Sequence, residues 1–363
     1  MWFRVNSVAL DFFMGISNLL PILSPITNPR NIKYFRGCTV GVDSHVWLHR
    51  SIYIDPESQT SGANHISYFT KRAQAFLELG VTPVFVFDGE DLPAKQFTNR
   101  DRMNGRSASL ARALSLKEYG DHLSARDHIV QATDVSEDIV GCLVRDLRAQ
   151  GYDAVVAPYE ADAQLSFMGK EGLVDFVITE DSDLLVYGCP RVWYKFDTAT
   201  GYALEVKSPV SRAPALAHLS EDAIILACIL AGCDYGPRIP GIGLKRALDV
   251  VGASQMRFFS PDGVNSIVDN LMIRGVAVEN KRQLISSLTN SYLVFRHQTI
   301  FNPANSKLQP LNMLPTDFAI TDENLDFIGR VYDPALAIEN YHGKMSAPGI
   351  PEVMSISMQT SSI

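Results

Sequence analysis

The sequence predicts an α/β fold, with a mostly parallel sheet flanked by helices and then a mainly helical region. Three observations carry that prediction. Strand-like and helix-like segments alternate through the first two thirds of the chain. The strand-like segments are almost continuously apolar, as strands buried on both faces are. Several of them stop at an acid: Asp43 after "TVGV", Asp88 after "VFVF", Asp181 and Asp183 after "FVIT".

In chain order, "CTVGVD" is a β-branched strand and "HVWLHRSIY" after it has helical spacing. "HISYFTKRAQAFLELG" is an amphipathic helix closed by Gly80. "VTPVFVFDG" is a buried strand, and a long basic helix follows from about Lys95. "SEDIVGCLVRDLRAQG" has a Ser cap, apolar residues at Ile139, Val140, Leu143, Val144 and Leu147, and an end at Gly151. "DAVVA" is a strand, "EADAQLSFMGK" a helix and "VDFVITED" a strand. From Ser220 the pattern turns helical in "SEDAIILACILAGCDY", "GLKRALDVV" and "NKRQLISSL", either a second lobe or a cap on the same domain. The Ser-rich tail from about Tyr341 has little periodicity and is expected to be disordered.

Composition narrows the function classes. The chain has 363 residues, 46% apolar and 20% charged, which excludes wholesale disorder. A net charge of −8 argues against a nucleic-acid partner until its distribution is read. Between Lys95 and Lys117, the cations Lys95, Arg100, Arg102, Arg106, Arg112 and Lys117 face Asp101 alone. The cysteines Cys38, Cys142, Cys189, Cys228 and Cys233 are odd in number and lack C-x-x-C spacing, as reduced core thiols of an intracellular protein would. "AIILACILAGC" is too short to span a bilayer, so no membrane association is expected. The apolar N-terminus is interrupted by Asp11 and lacks a clear signal cleavage site.

The acids carry the chemistry. Residues beyond the carboxyl ends of parallel strands converge on one crevice. Glu160 and Asp162 stand at a helix start, where the backbone lets both turn the same way, and Asp234 follows an apolar helix. Seven carboxylates in one crevice repel one another, and divalent cations with all-oxygen ligation, Mg²⁺ or Mn²⁺, relieve that repulsion. Two such ions about 3.5–4 Å apart form the phosphoryl-transfer site of many nucleases. A single strand-end Asp is commonly a cap or turn former, and a lone D-x-D recurs in unrelated sites. The repetition of the pattern sets it apart.

The motifs "MGISNLL", "VDSHVWLH", "VFDG", "VVAPYEADAQL", "ITEDSDLL" and "AGCDY…GIGLKRA" resemble the flap endonuclease/XPG superfamily of structure-specific 5′ nucleases. Within it, "APYEADAQL" with "TEDSDLLVYGC" is most similar to the eukaryotic exonuclease 1 branch, over Met14 to about Gly343. The resemblance implies a PIN-like nuclease core with a helix–two-turn–helix. It puts the metal-binding acids at Asp43, Asp88, Glu160, Asp162, Asp181, Asp183 and Asp234, holding two Mg²⁺ ions for which Mn²⁺ substitutes. Lys95 and Arg102 match cations that a gateway helix gives to the scissile phosphate. Met103, Asn104 and Gly105 stand where relatives tend to be basic, so a weaker or more mobile gateway is expected.

In "GCDYGPRIPGIGLKRA", Gly241 and Gly243 would bring backbone N–H groups to a DNA phosphate, with Lys245 and Arg246 adding charge. Relatives hold K⁺ at this turn with a hydroxyl side chain, where this chain has Arg238, so K⁺ binding stays open. His49 matches a family His at the DNA junction, and alone would read as packing. His45 replaces a Tyr and would stack on a base, and Asn18 replaces a Gly.

The implied organisation is an N-terminal extension at 1–13, nuclease regions at 14–112 and 136–235, a linker or gateway at 113–135, a helical DNA-binding region at 220–343 and a tail at 344–363. Residues 1–13 raise the expectation of a misassigned start codon. The implied function is Mg²⁺-dependent 5′→3′ hydrolysis of DNA at duplex ends, nicks or 5′ flaps in repair or recombination. Its rivals are a flap or Holliday-junction endonuclease and a DNA-binding scaffold with weakened catalysis. The resemblance implies a monomer in the nucleus. Mismatch-repair partners belong to the same implication, though no docking tail or localisation run is evident.

Overall fold

The structure, a computed structural model, describes residues 15–54, 63–133, 137–254, 258–314 and 320–343, with the isolated residues 135 and 256. The extension, Ser136 and the 344–363 tail lie outside the described residues. The strands of the main sheet are β1 (Asn28–Asn31), β2 (Thr39–Asp43), β3 (Thr82–Phe87), β4 (Asp153–Val156), β5 (Phe176–Ile178), β6 (Arg191–Tyr194) and β7 (Tyr202–Lys207). Their order is β1-β7-β6-β5-β2-β3-β4. Strands β4, β3, β2, β5 and β6 run parallel, and β7 is antiparallel to both of its neighbours. After β1 at one edge, the chain starts the parallel part at β2, builds outward through β3 to β4, then returns to lay β5 on the other side of β2. That reversal puts a switch point between β2 and β5, where ligand crevices open in such sheets.

Side-chain alternation divides the core in two. On β3, Val84 and Val86 pack into one cluster, and Phe85 and Phe87 into the other. The second face is covered by α2 (Ser44–Ile54) and α3 (Ala63–Glu78), which follow the short α1 (Leu19–Leu23), and by α6 (Glu137–Ala149). Trp47 of α2 stacks there on Phe76 at 6.2 Å between ring centroids. Between α3 and α6, α4 (Gln96–Glu118) and α5 (His122–Ala132) form a helical hairpin that is mostly exposed. The stretch 113–135, read as linker or gateway, is thus largely helix. Gly105 does not interrupt α4.

The first face carries α7 (Ala161–Lys170), α8 (Asp183–Val186) and α9 (Glu221–Ala231), followed by α10 (Leu244–Ala253), α11 (Pro261–Ile273) and α12 (Lys281–His297). Ser220 caps α9 by accepting the Ala223 N–H at 3.2 Å. One apolar cluster runs from Val177 and Leu165 through α9 to Leu293 of α12. The helical region is therefore a cap on the same core and not a second lobe. The hairpin β8 (Thr299–Asn302) with β9 (Lys307–Pro310), then α13 (Asp322–Phe327) and α14 (Pro334–Tyr341), complete the described elements. Tyr341, where the tail was expected to begin, is buried 4.5 Å from the Phe301 ring.

Strands β1, β6 and β7 were not read from the sequence; β1 lacks an apolar run, and β7 lies antiparallel to both of its neighbours, outside the parallel pattern. The cysteines are free, but Cys142 is exposed on α6 and not a core thiol. Among the described residues, no helix is long and apolar enough to cross a membrane.

Gln164 locks α7 to β8 of the C-terminal hairpin. Its side chain is fully buried, donates to the Phe301 carbonyl at 2.8 Å and accepts the Phe301 N–H at 2.9 Å. Gln164→Ala leaves two buried backbone groups unpaired, at about 1–3 kcal/mol each. Urea denaturation is expected to show a loss of about 2–4 kcal/mol, and a loss below about 1 kcal/mol would contradict this role.

Candidate active site

The seven acids lie near one another at the carboxyl edge of the sheet, close enough to shift one another's protonation. Asp43 ends β2, 6% exposed, and accepts a hydrogen bond from the Thr179 hydroxyl at 2.8 Å. Asp88 follows β3 and accepts the Ala161 N–H at 2.7 Å, which ties it to the start of α7. Gly89 makes that approach possible, because a Cβ there would collide with the backbone carbonyls of Ala157 and Pro158. Glu160 occupies the N-cap position of α7 in extended conformation, and Asp162 lies in the first helical turn. The Thr179 hydroxyl accepts the Asp181 N–H at 2.9 Å, and Asp181 accepts the Asp183 N–H at 2.8 Å. Asp234 follows α9.

Two cations enter from α4 and the turn before it. Lys95 Nζ lies 2.5 Å from Glu160 Oε2 and 3.6 Å from Asp234 Oδ2. Arg102 donates to Asp234 Oδ2 at 2.7 Å, and the Thr98 hydroxyl donates to the Asp234 carbonyl at 2.8 Å. The base of α4 is thereby fixed over the crevice.

Burial and mutual repulsion set the protonation states. Burial, then Asp88 and Asp181, pushes Asp43 up to about 7 against the stabilising Thr179 hydrogen bond. Burial pushes Asp181 up to about 6. Burial with the neighbouring carboxylates raises Asp162 and Asp183 far above the usual range. Glu160 is raised by burial and Asp88, with Lys95 opposing. Asp88 differs: burial would raise it, but His45, Lys95, the Ala161 N–H and Arg102 together hold it below its ordinary value. Lys95 is itself held above the usual lysine value, because Glu160, Asp234 and Asp88 outweigh burial.

The donor set fits hard divalent cations, being all carboxylate oxygen. Asp183 Oδ1 is buried with no hydrogen-bond partner among the described residues, so one ligating atom is open. The fit is chemical rather than fully formed. Among the described residues, no three His, Cys, Asp or Glu side chains are arranged around one point. Thr179 and the two cations engage Asp43, Glu160 and Asp234 instead.

The other sequence-derived positions fall around this centre. His45 Nδ1 accepts the Asp88 N–H at 3.1 Å and faces Asp88 Oδ2 at 3.3 Å. Those contacts need opposite protonation states of one nitrogen, so they are alternatives. The His45 ring sits 6.2 Å from that of His49, which is exposed. Gly241, Gly243, Lys245 and Arg246 are exposed in the turn before α10 and its first turn, and Gly243 caps that helix without a side chain. Arg246 donates to the carbonyls of Gly241 at 3.4 Å and Arg274 at 3.0 Å, so part of its guanidinium braces the turn. Arg238 reaches Asp101 of α4 at 3.3 Å.

Sequence reasoning missed Thr179 and Gly89, and the reason that Gly15 must be a glycine. A Cβ at Gly15 would overlap Asp181 and Ser182, and the Ile16 N–H donates to the Ser182 hydroxyl at 2.8 Å. The first described residues therefore pack on the acids. Asn18 has φ 67°, a left-handed conformation that Asn tolerates better than most residues, which explains how it replaces a glycine.

Two outcomes follow. Gly89→Ala is expected to lower stability by about 1–3 kcal/mol through overpacking against backbone that cannot yield, with an unchanged melt contradicting the close approach. Asp43 and Asp181 titrate above their unfolded values near 3.9, so between about pH 4 and 7 the folded chain binds more protons than the unfolded chain. Their contribution therefore falls as pH rises through this window. In EDTA, Asp43→Asn should raise Tm more at pH 8 than at pH 5, and a larger gain at pH 5 would contradict the burial of these charges.

Comparison with known proteins supplies the family. Residues 14–109 match the XPG N-terminal domain and residues 151–234 the XPG I-region. Exonuclease 1 of Danio rerio is 34% identical over 307 residues, covering 83% of this chain and 38% of that protein. Exonuclease 1 of Arabidopsis thaliana is 35% identical over 322 residues, covering 87% and 42%. The chain thus spans about two fifths of the length of these relatives. Among solved structures, the catalytic core of Rad2 in complex with DNA substrate superposes with TM-score 0.55 at 19% identity over 88% of each chain. With both signature regions in order and the same mostly parallel architecture, the chain belongs to the XPG superfamily of nucleases and is related to exonuclease 1.

Proposed function

We propose that this protein is a Mg²⁺-dependent 5′ nuclease that hydrolyses DNA phosphodiesters at duplex ends, nicks or 5′ flaps, in the nucleus, during repair or recombination. The observation that supports this most is the meeting of seven carboxylates with Lys95 and Arg102 at the switch point of the sheet. Asp43, Asp88, Glu160, Asp162, Asp181, Asp183 and Asp234 would hold the metal ions. When bound, two divalent ions lower the pKa of an attacking water and stabilise charge on the scissile phosphate. Mn²⁺ is expected to substitute for Mg²⁺.

The chain's own groups do the positioning. Lys95 and Arg102 stand at the crevice rim on a helix base pinned to Asp234, where they can bind phosphate oxygens as negative charge develops. Thr179 orients Asp43, and the Ala161 N–H orients Asp88. His45, beside Asp88, and His49, whose ring lies 6.2 Å from that of His45, would meet the DNA where its strands separate. The exposed N–H groups around Gly241 and Gly243, at the start of α10, suit a backbone phosphate, with Lys245 and Arg246 beside them.

The test is cleavage of 5′-labelled blunt, nicked, flapped and four-way DNA with Mg²⁺ and with EDTA. Asp88→Ala and Asp183→Ala are expected to abolish cleavage, and Lys95→Ala to lower kcat by about 10²–10³-fold. Full activity in either aspartate variant would refute the site. Salt-dependent binding without cleavage under any divalent ion would favour a DNA-binding scaffold, and preference for four-way over nicked or flapped DNA a junction endonuclease.

A further inference from the structure

A cavity beside the acids runs between the two places where the chain is read as meeting DNA. It measures about 300 Å³ and is lined by Gly15 and Ser17 of the first described segment, by Arg102 and Asp234, and by Arg238 and Ile239 of the loop that follows. That is the lower end of the ~300–1,000 Å³ of small-ligand pockets, which suits one unit of a nucleic-acid strand better than a duplex. Arg102 and Asp234 tie the cavity to the acids. Arg238 stands three residues before Gly241, so the opposite end of the lining leads into the turn before α10. A strand engaged both at the acids and at that turn has this wall between its two contacts.

The cation in the wall is under-used. Arg238 gives one group, Nη1, to Asp101 Oδ2 of α4 at 3.3 Å, which is longer than the ~2.7–2.9 Å of a charge-assisted hydrogen bond. A guanidinium carries five N–H donors in a planar fork, and among the described residues no other carboxylate pairs with this one. The two side chains are 73% and 60% exposed, so the pair is a weak surface contact that exchanges readily. A phosphate would take two parallel N–H bonds from the same fork. Ser17, exposed on the same cavity, adds a hydroxyl donor. Asp101 is also the lone acid among six cations between Lys95 and Lys117, so its place opposite Arg238 calls for an explanation.

We propose that Arg238 is a phosphate contact for the strand that lies between the acids and the Gly241 turn, and that Asp101 holds its place until DNA arrives. The ligand is a phosphodiester of the DNA backbone, bound without base readout. This rests on the nuclease reading above and adds to it an exchange of partners. Binding trades a long ion pair for a bidentate one, and Asp101 is released. Asp101 therefore weakens DNA binding chiefly by occupying Arg238. Plain repulsion of DNA by a negative charge would behave in the opposite way, growing stronger once Arg238 no longer offsets it.

The experiment measures binding of a nicked duplex against NaCl concentration in EDTA, so that no strand is cut. It compares the full chain with Arg238→Gln, Asp101→Asn and the double variant, and thermal melts check that each is folded. Arg238→Gln is expected to bind about 5- to 10-fold more weakly at low salt and to lose about 0.9 from the log–log salt slope. Asp101→Asn should bind about 2- to 3-fold more tightly where Arg238 is present, with a smaller gain in the Arg238→Gln background. With Mg²⁺, Arg238→Gln should raise KM by a factor like its loss of affinity and change kcat by less than about 2-fold, because the residue holds DNA away from the reacting phosphate. A folded Arg238→Gln variant with unaltered affinity and slope would overturn the contact, and so would a fall in kcat alone. An Asp101→Asn gain as large or larger without Arg238 would overturn the exchange. Failure of the unsubstituted chain to bind DNA at all would instead sink the nuclease reading.

Discussion

The structure depends on keeping like charges together out of water. Asp43, Glu160, Asp162, Asp181 and Asp183 each carry a pKa raised first by burial, and most are raised further by another member of the set. A fold tolerates that only where other contacts over-determine it. Here the determinants are backbone groups and hydroxyls, from Ala161, Asp183 and Thr179, with the Lys95 ammonium between Glu160 and Asp234. The reversal of strand order between β2 and β5 supplies the geometry that makes the acids meet. Electrostatics and topology thus describe one constraint from two sides.

That constraint also explains the role of α4. Its base is fixed by Thr98 and Arg102 to Asp234, and Asp101 reaches Arg238 in the loop that leads to the Gly241 turn. Exposed pairs of this kind contribute little stability, commonly below about 1 kcal/mol. Their consequence is registration. The cationic helix, an acid of the crevice and the approach to α10 share partners, so a shift in one is felt by the others. Asp101, the one acid in a basic window, belongs to this arrangement.

Much of this was legible in the sequence because the signals were strong and local. Continuous apolar strands ending in Asp43, Asp88 and Asp181 announced both a parallel sheet and a crevice. The helix of Ser220 could be read from its cap, and the end of α3 from Gly80. The short strands at the antiparallel end of the sheet were not readable, since the contacts of Glu205 with Arg30 and Arg191 arise only once β1, β6 and β7 are side by side. Gly89 and Gly15 escaped for the same reason: what they make room for lies far along the chain. Which partners the acids take was not readable either: the Thr179 hydroxyl on Asp43, and Lys95 on Glu160 and Asp234, come from segments distant in the chain.

The clamp between Gln164 and Phe301 has a consequence for biosynthesis. It joins residues 137 positions apart, and its Gln164 lies on α7 just two residues after Asp162. Contacts of that separation form late, after the entropy of closing the intervening loop has been met. A ribosome that has emitted the strands and all the acids through Asp234 has therefore not yet released a finished crevice. The chain must reach β8 before this clamp on α7 can form, so the helix that carries Asp162 gains its last fixed contact only when most of the length has been made.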